Sequence, residues 1–103
     1  MRLAGLLALV SAGAASAQNV DVSLFPSEVR AGWEEFLTKT GHRAFAWNGQ
    51  SAFSYAWDAQ SAEGAAELAV SACDEDRGVM RFLGGGGPTC LPVIVLGPED
   101  PGP

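Results

Sequence analysis

The chain has 103 residues, with six basic against twelve acidic side chains and a formal net charge of −6. Such an excess of acid repels polyanions, which excludes nucleic acid and anionic lipid surfaces as expected partners. The length allows one small domain, near the lower limit at which a hydrophobic core sustains itself.

Met1 to Ala17 reads as a secretory signal peptide. Met1-Arg2 is the charged start and Leu3 to Val10 an apolar run too short to span a bilayer. Ala15-Ser16-Ala17 is the small-x-small pattern that a signal peptidase accepts, so cleavage is expected before Gln18. Removing seventeen of the 103 residues leaves 86, and the loss of Arg2 leaves five basic against twelve acidic side chains. No second stretch reaches spanning length, and no cysteine stands at the cleavage point to take a lipid. The expected product is periplasmic or secreted, with no membrane insertion after cleavage.

Gln18 to Phe25 is a short lead-in ending at Pro26. Ser27 fits a helix N-cap, and Val29, Trp33, Phe36 and Leu37 fall on one helical face, with Gly41 as the stop. This predicts a first helix over Ser27–Thr40. Two aromatic runs follow, Arg43–Trp47 and Ala52–Trp57, separated by a turn that begins Asn48-Gly49, a strong hairpin signal. Phe53, Tyr55 and Trp57 alternate with Ala52, Ser54 and Ala56, the period-two pattern of a strand with unlike faces. The alternation leaves two arrangements open: a helix on the alanine face with the aromatics meeting the first helix, or the reverse.

Ser61 is the next N-cap, opening a second helix from Ala62 to about Asp76, with a face of small side chains that allows close packing on a sheet. Gly78 is expected to cap it, placing Asp74-Glu75-Asp76 unfavourably in the last turn. Val79–Leu83 reads as a short extended piece and Gly84–Gly87 as a flexible loop. Leu91–Leu96 is a final strand of nearly continuous apolar residues. The order helix-strand-strand-helix-strand predicts a small two-layer α+β domain with a three-stranded, mainly antiparallel sheet. The domain is expected over residues 18–97, with a disordered tail over 98–103. Cys73 and Cys90 stand 17 apart, without Cys-x-x-Cys spacing. In an oxidising compartment a disulfide between them is expected, and closing such a loop is worth about 3 kcal/mol.

Motifs for chemistry are sparse. His42 is the only histidine, so no histidine-rich metal site exists. No Gly-x-Ser-x-Gly elbow is present. Asp74, Asp76 and Gly78 fail the calcium-loop spacing, because the glycine comes early and Gly85 stands where a bidentate acid is needed. Gly84–Gly87 lacks the Lys-Ser/Thr of a phosphate loop. Lys39, the sole lysine, lies on the predicted exposed face of the first helix. No catalytic residue, metal or cofactor is assigned. Tyr55, Trp57 and His42 form the candidate binding surface, with the aromatics offering a stacking face for a sugar or peptide in competition with simple core burial.

Gly41-His42-Arg43-Ala44-Phe45-Ala46, then Asn48-Gly49, then Ser61 to Cys73 with Cys90 opening a final strand, resembles a group of small exported proteobacterial proteins of unknown function. The resemblance covers about Trp33 to Leu96, although the stretch Val79 to Gly87 between the cysteines is longer than in that pattern. Some similar proteins carry the label 5-aminolevulinate synthase. That chemistry needs pyridoxal phosphate on a lysine within a large cofactor fold, which 86 residues with Lys39 alone do not build. The resemblance thus implies a fold and a compartment, and no activity.

The functional expectation is a non-catalytic binding or interaction module of the cell envelope, for a protein, peptide or glycan. Two alternatives stand beside it: a small hydrolase-type enzyme using His42 with Asp58 or Glu35, and a secreted inhibitor or effector presenting Gly84–Gly87. The sequence carries no sign of oligomeric state.

Overall fold

The computed structural model describes residues 20–82 and 87–102, and for 77–82 the backbone alone. The expected signal peptide, its cleavage point at Gln18, Gly84–Gly86 and the last residue of the tail lie outside the described residues.

A 3-10 turn, Val22–Leu24, leads into helix α1, Ser27–Phe36. Strands β1, His42–Trp47, and β2, Phe53–Ala59, form a hairpin. Helix α2, Ala62–Phe82, crosses the sheet and returns the chain to β3, Leu91–Leu96. The sheet is antiparallel throughout, in the order β2-β1-β3. The α+β class, the element order and the three-stranded sheet are those expected from the sequence. So are the bounds of β3.

The sheet has two chemically unlike faces, as the alternation of β1 and β2 requires. Ala44, Ala46, Ala52 and Ala56 face Ala65, Ala69 and Cys73 of α2, all buried. On the opposite face Phe45 meets Phe25, Val29, Trp33 and Phe36 of the lead-in and α1. With one helix on each face, the sheet is the middle of three layers, one more than expected. Of the two arrangements left open by the sequence, this is the one with the aromatics against the first helix. Phe45 is fully buried, with ring centroids of Trp33, Phe36, Phe53, Phe25 and Tyr55 at 5.2, 5.6, 5.8, 5.9 and 6.1 Å.

Local chemistry sets the ends of the elements. Ser61 caps α2 as expected, its Oγ accepting from the Gly64 N–H at 2.9 Å. Ser27 does not cap α1: it is the first helical residue, after Pro26, whose carbonyl accepts from the Arg30 N–H at 2.8 Å. The hairpin loop is longer than a two-residue turn. Only Gly49 takes a positive φ (85°), while Asn48 closes the loop with its side chain, Oδ1 accepting from the N–H groups of Gln50 and Ala52.

One expectation is corrected. Helix α2 does not stop at Gly78 but runs to Phe82, so no extended piece begins at Val79. One interior glycine costs about 1 kcal/mol, which does not end a helix whose following residues propagate it. Asp74-Glu75-Asp76 therefore sit inside the helix, away from its negative end. Arg43, 7% exposed, donates from Nη1 to the carbonyls of Gly41 (2.8 Å) and Gly97 (2.7 Å), and from Nη2 to that of Asp100 (2.8 Å). Asp100 in turn accepts the Gly97 N–H at 2.8 Å. Residues 97–100 form a turn held to the sheet by a buried guanidinium, because its donors need acceptors once water is gone.

Cys73 and Cys90 are joined, with Cα atoms 6.1 Å apart, and both are buried. The bond ties α2 to the entry of β3, and the Cys90 N–H also donates to Asp74 Oδ1 at 3.0 Å. A formed disulfide fits a chain that folds in an oxidising compartment. Among the described residues no helix is long and apolar enough to cross a membrane.

Candidate binding site at the Trp57 ledge

Strand β2 is an edge strand, and it carries an irregularity where it passes Arg43. From His42 to Ala44, β1 advances two residues while β2 passes from Ala59 to Ala56, one residue more. Such a bulge bends the strand and re-aims its side chains. Asp58 absorbs the extra residue in the left-handed region (φ 56°), which Asp tolerates better than most residues. Its N–H donates to the Thr40 carbonyl at 3.1 Å. Gly41, at φ 80°, packs against it so closely that a Cβ there would lie 2.8 Å from Asp58 Oδ1. The α1–β1 connection at Thr40 and Gly41 and the bulge of β2 thus lock together at one corner.

Trp57 stands at that corner, 46% exposed. Lys39 Nζ lies 4.4 Å from the centroid of its ring, and Glu35 Oε2 holds the same ammonium at 3.5 Å. An exposed cation–π contact of this kind contributes about 0.5–1 kcal/mol. Tyr55, partly buried, lies 5.7 Å from Trp57 between centroids and continues inward to Phe36 and Phe45. Leu37, 48% exposed, adds apolar surface at the end of α1. Lys39 also lines a cavity of about 350 Å³ that opens between the end of α1 and the segment after β3. Phe36, Leu37, Thr40, Leu96 and Pro98 line it beside Lys39. One lysine therefore touches both an aromatic ring and a recess.

Tyr55 and Trp57, paired in the sequence reading, are adjacent here. His42 is not brought to them by any described contact. It opens β1, partly buried, and its Nδ1 is buried without a hydrogen-bond partner. Neither Asp58 nor Glu35 accepts or donates a hydrogen bond at that nitrogen. Among the described residues no group of three His, Cys, Asp or Glu side chains could hold a metal ion.

Lys39 and Arg43 are the residues that sequence reasoning missed. An arginine inside a strand otherwise buried was the available signal, since arginine is rarely buried unpaired. For Lys39 nothing local pointed to Trp57, eighteen positions away.

The Tyr55 phenol is held above its ordinary value, first by burial and second by the negative charge of Glu35. Tyr55 is the only tyrosine, so tyrosinate absorbance reports it alone. Folding favours the neutral phenol: this contribution is complete below the ordinary value of about 10 and is lost as pH rises through the raised one. A spectrophotometric titration is expected to show the raised value in the folded protein and the ordinary one in urea. Glu35→Gln should lower the folded value only part of the way, because burial is the larger cause.

No family model, curated protein or solved structure matches the chain.

Proposed function

We propose that the protein is a small exported binding module of the cell envelope, whose ligand, a peptide, protein segment or glycan, stacks on Trp57. The observation that carries this reading is a half-exposed tryptophan set on a bulged edge strand beside a recess. Indole rings supply much contact area with little conformational freedom to lose, which is why tryptophan is enriched among residues that dominate binding. Export rests on the apolar start of the chain and on the Cys73–Cys90 bond. The resemblance to small exported proteobacterial proteins accords with it.

The test is an affinity pull-down from envelope extract with wild type, Trp57→Ala, and Leu24→Ala as a control that removes an exposed leucine elsewhere. Trp57→Ala is expected to weaken capture about tenfold or more, equivalent to about 1.4 kcal/mol. Equal capture by all three proteins would reject the ledge as the binding surface.

A further inference from the structure

The hairpin loop contains a reactive sequence whose chemistry the fold holds in check. Asparagine followed by glycine is the pair in which a side-chain amide is attacked most readily by the next backbone nitrogen, since glycine leaves that nitrogen unhindered. In this structure Asn48 is 5% exposed. Its Oδ1 accepts from the Gln50 N–H at 2.9 Å and the Ala52 N–H at 3.1 Å, and its own N–H donates to the Ala52 carbonyl at 3.0 Å. Trp47 adds a further tie, its indole N–H donating to the Gln50 carbonyl at 2.7 Å. Gly87 closes the other side, where a Cβ would stand 3.1 Å from Asn48 Nδ2.

We infer that Asn48 is a latent deamidation site, closed by the folded hairpin and opened when the hairpin unfolds. In the open chain the Gly49 amide nitrogen gives its proton to hydroxide and attacks Asn48 Cγ. The bond from Cγ to the side-chain nitrogen breaks as that nitrogen takes a proton from water, so ammonia leaves and hydroxide is regenerated. Water then opens the resulting succinimide at either carbonyl, leaving aspartate or isoaspartate at position 48. Hydrolysis balances the step, and no oxidant or reductant enters.

Ring closure needs Cγ to turn toward the Gly49 nitrogen, which takes Oδ1 off both of its donors. Losing two such bonds slows the reaction roughly 30-fold, equivalent to about 2 kcal/mol. The product also opposes refolding. Isoaspartate routes the backbone through the former side-chain methylene, and either product places a carboxylate where the asparagine is almost wholly buried.

The experiment compares two arms at mildly alkaline pH: the disulfide-bonded protein in buffer, and the reduced, alkylated protein in concentrated urea. Peptide mapping by mass spectrometry follows conversion at position 48. The folded arm is expected to convert at least roughly 30-fold more slowly. Comparable rates in the two arms would overturn the inference. So would an unfolded arm that keeps its amide.

Discussion

Replacing Cys73 and Cys90 together by alanine is expected to lower stability by about 3 kcal/mol, chiefly by releasing the denatured chain. The bond closes a separation of 17 residues. The penalty is large for this protein because a domain of this size has a total stability near the lower end of about 5–15 kcal/mol. Urea unfolding should show the effect as a fall of up to about 3 M in midpoint, at a slope near 1 kcal/mol per molar. The slope itself should rise, since an uncrosslinked chain exposes more surface when unfolded. Wild type kept reduced should behave as the variant does. Both sulfurs are buried, so reduction of the native protein should be slow without denaturant. An unchanged midpoint in both cases would show that packing alone holds α2 to β3.

The second large effect is expected at Phe45. It is the hub of the aromatic face, fully buried in the central strand with five rings around it. Phe45→Ala removes its transfer free energy and leaves a cavity that rigid neighbours cannot fill, a combined loss of about 3–5 kcal/mol. That approaches the whole stability of the domain, so near-ultraviolet circular dichroism should show loss of ordered aromatic packing. Phe45→Leu keeps most of the volume and should cost less, retaining a cooperative transition at lower temperature. If Phe45→Ala unfolds at the wild-type temperature, α1 is not docked through this ring.

The strands were legible because their chemistry is local. Leu91 to Leu96 is a short apolar run rich in Val and Ile between breakers, and the alternation in Phe53–Trp57 displays its two faces without outside help. The length of α2 was not, since a glycine reads as a stop in isolation and is tolerated once the helix is already propagating. Which helix covers which face depends on chain paths in three dimensions, and the alanine and aromatic stripes are equally apolar. The same limit applies to the candidate site. Tyr55 and Trp57 announce themselves by type and spacing, but the bulge at Asp58 and the ammonium of Lys39 over the indole arise only from register and docking. His42 shows the converse: its rarity drew attention, and its position in the strand gives it no acidic partner at Nδ1.

Arg43 has a consequence for where the folded unit ends. Its guanidinium is an ion taken out of water, and the three carbonyls of Gly41, Gly97 and Asp100 act as its inner hydration shell, built from the chain itself. Two of those three ligands lie after the last strand. A chain cut after Leu96 would keep every strand, yet would lose two of the three carbonyls that hold this cation and the segment that covers it.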